Sequence, residues 1–218
     1  MRPTEQVVGD LVEALEPIRL IPRLRTVAAA ALVLGVISSA VVMGLRGVRS
    51  DLASGVFSPC VVLMALGLTI VALGGIAASL GAGVPGRERV TQLGTRVMVG
   101  GLVLAAGAGG WALVSAGAAA WEGIGVRCLA TALLAGVLPG LALLAFLAVA
   151  FPARPALALA AASGGAVALG SISVHVSCPA TGGLHLLLGH AAAPVLGGVV
   201  LALVLYPVLC RLRARANR

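Results

Sequence analysis

The sequence predicts an all-α fold, a polytopic membrane bundle of about six transmembrane helices. Of its 218 residues, 60% are apolar and only 10% are charged, and the mean hydropathy is +1.12. A soluble domain usually has about a quarter of its residues charged, so lipid must cover much of this surface. Long apolar stretches separated by arginine, glycine or proline support the same fold class, because each is long enough to cross about 30 Å of hydrocarbon as a helix.

Six such stretches are predicted to span the membrane. The first is expected to be retained rather than cleaved as a signal peptide, because 26 residues precede it. The fifth is the least apolar, since it consists mostly of alanine and glycine. The chain then divides into a cytoplasmic segment (residues 1–26), a transmembrane domain (27–210) and a basic tail (211–218). The predicted spans are Val27–Leu45, Phe57–Leu80, Val97–Ala118, Leu129–Phe151, Ala156–Val176 and Leu186–Leu209.

The arginines predict the orientation of the bundle. All 15 basic residues are arginine, and 12 of them lie in the two tails and in the second and fourth connections. The other three, Arg46, Arg49 and Arg127, lie on the opposite side. Cytoplasmic loops carry an excess of basic residues, so both termini are expected on the cytoplasmic side of a bacterial inner membrane. Arginines spread between apolar blocks also argue against direct binding of nucleic acid, which needs them gathered on one surface.

Small residues recur at four-residue spacing inside the spans, as in Ala105/Gly109 and Ala161/Gly165. This spacing predicts close packing of helix backbones and would also allow a homo-oligomer. Pro194 is expected to kink the sixth span.

The amino-terminal segment has a different character from the spans. Thr4 can cap a helix that Pro17 stops, and the apolar residues between them follow helical spacing. One interpretation is a helix that lies on the membrane or packs under the bundle, although its acidic residues would be repelled by anionic lipid. The other is a docking helix whose apolar stripe enters a groove on a soluble partner. The apolar residues are Val7, Val8, Leu11, Val12 and Leu15, and the acidic ones Glu5, Glu13 and Glu16.

Cys128, His175 and Cys178 are expected at or near the outer face, followed by His185 and, deeper in the sixth span, His190. Three interpretations stay open: packed cysteines or an ordinary disulfide, a thiol pair that responds to redox conditions or metal, and a catalytic site. Thiolates and imidazoles favour soft metal ions. His185 and His190 are five residues apart, about 140° on an α-helix, so they are not expected to clamp a metal on one helix. A permanent structural zinc site is therefore not expected.

Other features limit the function classes. The sequence contains no catalytic motif and no phosphate-binding loop, so neither an enzyme nor a cofactor is expected. No acidic residue is expected inside a span, which argues against active transport. A small transporter or channel subunit remains the alternative function.

The carboxyl half resembles the NrsF-like family of six-span bacterial membrane anti-sigma factors. The likeness rests on Cys128 and Pro139 in the fourth span, the turn Ala153-Arg154-Pro155, Cys178-Pro179 and the later His190. The run Leu11–Pro22 is also similar to the family's cytoplasmic segment. Two departures are Gly189, where the family often has an aromatic residue, and Ala148-Val149-Ala150, which replaces an arginine pair.

The resemblance implies that the chain holds an extracytoplasmic-function sigma factor at the membrane. An envelope, oxidative, metal or light-related signal would release it. The sigma factor would bind the amino-terminal helix, through Val8, Leu11, Val12, Leu15 and Ile18. Cys128 and Cys178 would be the sensor residues, with His185 and His190 beside them.

Overall fold

The computed structural model describes residues 3, 6, 9, 12–13, 21–55, 58–115, 125–150 and 152–216. It confirms the all-α prediction: six helices are long and apolar enough to cross a membrane, and the described residues contain no strand. We number these helices span 1 to span 6. They are Leu24–Arg46, Pro59–Ala82, Glu88–Ser115, Val126–Val149, Pro155–Ser177 and Gly183–Arg215.

Each span lies close to its predicted position, except that span 3 begins at Glu88 rather than Val97. Arg89 and Arg96, predicted in the connection, therefore belong to the helix. The apolar stretch marks only the part of the helix that lies in the hydrocarbon core. The helix itself can continue beyond that stretch into the polar interface of the membrane. The predicted limits Phe57, Ala118 and Phe151 lie outside the described residues.

Span 5 is the central helix of the bundle. It packs against spans 1, 2, 4 and 6, and 72% of its apolar window is buried by protein, compared with 28% for spans 1, 3 and 6. This position explains its weak hydropathy. Alanine and glycine suffice where neighbouring helices rather than lipid cover the surface, and they allow close approach.

Close approach of backbones is most evident between spans 2 and 3. A Cβ atom added to Gly101 would lie 2.7 Å from the carbonyl oxygen of Gly67 and 2.7 Å from the amide nitrogen of Val71. Ala105, one of the small residues at four-residue spacing, lies in the same contact, with its backbone nitrogen 2.7 Å from a Cβ built on Gly67. Gly165 makes a similar approach to span 2 from span 5.

Only part of the predicted amino-terminal helix is described. Gln6, Gly9, Val12 and Glu13 are helical, and Val12 is 60% exposed. The other residues predicted to dock a partner, Val8, Leu11, Leu15 and Ile18, lie outside the described residues.

Candidate metal and redox site

Cys128 and Cys178 meet where spans 4 and 5 reach the same face of the bundle. Cys128 is in the first turn of span 4, which follows Gly125 in the left-handed conformation (φ +67°). Cys178 directly follows the last residue of span 5. Both are buried, and the Cys128 thiol donates a hydrogen bond to the Cys178 sulfur, with the sulfurs 3.6 Å apart. The bond lowers the pKa of the Cys178 thiol below its usual range, because it stabilises the thiolate.

His185 and His190 reach this pair through an irregular start of span 6. The short helix Gly183–Leu186 leads into a π-helical turn, Leu187–Ala191. There the Ala192 amide donates to the Leu187 carbonyl, five residues back, over 2.8 Å. The ring centroids of the two histidines are consequently only 5.4 Å apart.

The expectation that these two histidines point about 140° apart on a regular helix was therefore wrong. It assumed 3.6 residues per turn, whereas a π-turn bonds residue i to i+5 and brings residues five apart onto one side. The π-turn ends just before Pro194, the residue expected to disturb this span. Proline has no N–H to continue the helical ladder and its ring crowds the preceding turn.

Together these residues form what we call the thiol–imidazole cluster: Cys128, Cys178, His185 and His190. Their possible ligand atoms all lie within 4.8 Å of one another, and the Cys178 sulfur is 3.3 Å from Nε2 of His185. His190 is fully buried, and neither of its ring nitrogens has a hydrogen-bond partner among the described residues. A buried polar atom without a partner costs stability and calls for an explanation such as a bound ion. Two thiols and two imidazoles fit a soft ion of the zinc or copper type.

Gly189 allows the cluster to close. A Cβ atom on Gly189 would lie 3.2 Å from Cα of Gly125 and 3.6 Å from Cβ of Cys128. The π-turn thus packs directly on the start of span 4. A large aromatic residue at this position would have no room without a shift of one of these segments.

His175 lies beside the cluster, although it was not among the residues predicted to form the site. It is buried, its Nε2 is 3.0 Å from the Val61 carbonyl oxygen in span 2, and its ring meets that of His190 edge-on at 5.1 Å between centroids. Its position three residues before Cys178 was the available signal, since residues i and i+3 share a helix face.

Arg49 was predicted only as an outer-face charge, but its side chain is 2% exposed. Its Nε donates to the carboxylate of Asp51 at 2.6 Å, and its backbone amide donates to the Val176 carbonyl at 3.0 Å. This hydrogen bond with the Arg49 guanidinium lowers the pKa of Asp51. The segment after span 1 is thereby attached to the end of span 5, next to His175 and Cys178.

The other two cysteines lie away from the cluster. Cys60 is half-buried at the start of span 2, and Cys210 is exposed near the end of span 6. Neither belongs to the group of possible metal ligands found in the described part of the chain.

Of three comparisons with known proteins, one identifies a family. No curated protein and no solved structure matches the chain. The family model described as "NrsF: Negative regulator of sigma F" matches residues 11–211, which include spans 1 to 5, most of span 6 and the cluster. The chain belongs to the NrsF family of negative regulators of sigma factors.

Proposed function

We propose that the chain is a membrane-bound anti-sigma factor that holds an extracytoplasmic-function sigma factor through its amino-terminal segment and releases it when the thiol–imidazole cluster changes state. Family membership supports the negative regulation of a sigma factor. The observation that carries the sensing step is the convergence of two thiols and two imidazoles within 4.8 Å.

The sigma-binding element in this proposal is the apolar stripe of Val8, Leu11, Val12, Leu15 and Ile18. These residues precede span 1, whose first turns pack into the bundle through Leu24 and Val27. A helix of about 12 residues is marginal alone in water, so it would order on its partner, with the stripe buried in a groove.

Two chemical events at the cluster would serve as the signal. A soft metal ion would bind the two sulfurs and the histidine nitrogens, with loss of the thiol protons. Alternatively, a two-electron oxidant such as a peroxide would take up two electrons and two protons as Cys128 and Cys178 form a disulfide. Either event fixes the ends of spans 4 and 5 relative to each other.

A contact between spans 5 and 1 offers a route from the cluster to the amino terminus. The hydroxyls of Ser39 and Ser173 are 2.6 Å apart, and a Cβ on Gly35 would lie 2.8 Å from Cδ1 of Leu169. Ser173 is two residues from His175. A displacement of span 5 would therefore displace span 1, which follows the sigma-binding segment in the sequence. Release requires only that the two states of the bundle bind sigma with different affinity, and a difference of about 3 kcal/mol changes affinity over a hundredfold.

Co-purification of the cognate sigma factor with the full chain tests the docking step. Leu11→Asp with Leu15→Asp is expected to abolish capture, because two charges enter the apolar stripe. Gln6→Asp is the matched control, since it introduces the same residue on the opposite face of the predicted helix, and it should retain capture. Equal capture by the double variant and the control would refute the docking helix.

Reporter fusions test the orientation that the proposal needs. Fusions to either terminus should be active only as cytoplasmic reporters, and fusions between Ser115 and Gly125 only as extracytoplasmic reporters. An amino terminus outside the cytoplasm would contradict sigma binding by residues 1–26.

A further inference from the structure

A groove of about 670 Å³ lies between spans 2, 3, 5 and 6, at the end of the bundle opposite the thiol–imidazole cluster. Its floor is made of small residues, among them Ala158, Ala161 and Gly198. Gly198 of span 6 lies against the backbone of span 5, since a Cβ on Gly198 would lie 2.8 Å from Cα of Gly164. The rim residues Leu157, Val195 and Val199 are exposed, so the groove opens to the side of the bundle that faces lipid.

Basic and polar side chains gather at one end of this groove. Arg96 of span 3 and Arg154, the residue before span 5, both line it, and Thr91, Gln92 and Thr95 lie beside them. No aspartate or glutamate is among the lining residues of the described chain. Arg96 and Arg154 are exposed and are not paired with a carboxylate in the described residues, so their charges are available to an anion.

The remainder of the groove is apolar and extends into the membrane. Leu102 lies six residues after Arg96 on span 3, about 9 Å deeper at 1.5 Å per residue. Met98, Ala161 and Pro194 line the same inner part. The positively charged end at the membrane interface matches the phosphate headgroup of a phospholipid, and the apolar part inside the membrane matches its acyl chain. Basic pockets between transmembrane helices are known to bind anionic headgroups.

We infer that this groove binds an anionic glycerophospholipid, with its phosphate at Arg96 and Arg154 and the upper part of one acyl chain along Met98, Leu102 and Ala161. The occupant is a lipid rather than a protein segment because the opening lies along the hydrocarbon-facing side, where lipid is the medium, and because the charge is confined to the interfacial end. If the termini are cytoplasmic, the lipid belongs to the inner leaflet.

Native mass spectrometry of the full chain, released from nanodiscs that contain equal phosphatidylglycerol and phosphatidylcholine, tests this inference. We expect the wild type to retain phosphatidylglycerol selectively. Arg96→Gln with Arg154→Gln should reduce its retention on the order of thirtyfold, the effect of two basic side chains at an anionic surface. Arg127→Gln with Arg211→Gln removes the same charge outside the groove and should retain the lipid.

Ala160→Trp provides a second variant that leaves the charge unchanged. Its indole would fill the groove between spans 3 and 5 and should reduce retention of both lipids. Unchanged selectivity in the Arg96/Arg154 variant, or an equal loss in the Arg127/Arg211 control, would overturn the inference. A wild type that carries no lipid but forms dimers that Ala160→Trp disrupts would assign the groove to a second copy instead.

Discussion

The sulfurs of Cys128 and Cys178 lie 3.6 Å apart, although 50 residues separate them in the sequence. One opens span 4 and the other directly follows span 5, so the pair joins the ends of two neighbouring helices. Under the proposed function, ligation or oxidation at this point acts on the central helix of the bundle. We expect a change in these two side chains to be transmitted through that helix to its neighbours.

Metal binding is the first prediction for this pair. The purified, reduced chain should bind one Zn²⁺ or Cd²⁺ per monomer, measured by elemental analysis and chelator competition. Cys128→Ser with Cys178→Ser removes both sulfur ligands, so affinity should fall by more than the 10–100-fold typical of outer-shell substitutions. Cys60→Ser with Cys210→Ser removes the same number of thiols outside the cluster and should bind as the wild type does. Equal affinity in the two double variants would exclude the cluster as the metal site.

Packing between spans 2 and 3 gives a prediction about stability. Gly101→Ala places a Cβ 2.7 Å from backbone atoms of span 2, so the helices must separate. We expect a loss of about 1–3 kcal/mol, measured as a lower thermal midpoint in detergent. Gly100→Ala is the adjacent control, since nothing lies within 4 Å of its Cβ, and it should be neutral or slightly stabilising. Similar midpoints for both variants would contradict the close approach of spans 2 and 3.

The ion pair between Arg49 and Asp51 predicts a dependence on pH. The pKa of Asp51 is lowered in the folded protein from its ordinary value of 3.8. The ionised carboxylate therefore stabilises the folded protein above about pH 3.8, and this stabilisation is lost as the pH falls through the lower, folded pKa. Asp51→Asn should lower the thermal midpoint at pH 7, because it leaves the buried Arg49 charge without a counter-ion. The difference from the wild type should shrink as the pH falls below about 4. A constant difference between pH 3 and pH 7 would show that the carboxylate charge is not what stabilises this segment.

The six spans could be predicted from the sequence because hydropathy reports directly on contact with lipid. Span 5 has the lowest hydropathy of the six spans because neighbouring helices, rather than lipid, cover most of its surface. The end of span 3 nearest the second connection was misplaced because hydropathy does not mark where a helix ends in the polar interface.

The cluster could be predicted only in part. The span pattern was enough to place Cys128 and Cys178 on one face, because two complete spans separate them. The approach of His185 and His190 depends on a π-turn, and regular helical geometry predicts the opposite. The burial of Arg49 depends on a contact with a distant segment, at Val176, that no local pattern in the sequence encodes. The spacing of His175 and Cys178 places His175 near the cluster, but its contact with Val61 is equally distant in sequence.

The coupling between the cluster and sigma binding is the central claim, and sigma retention on oriented proteoliposomes measures it most directly. A soft metal ion or a peroxide is added on the side of Cys128 and Cys178, and the sigma factor bound on the opposite side is quantified. We predict that the wild type releases sigma, whereas Cys128→Ser with Cys178→Ser binds sigma equally well but no longer releases it. Release from this double variant as complete as from the wild type would contradict the account.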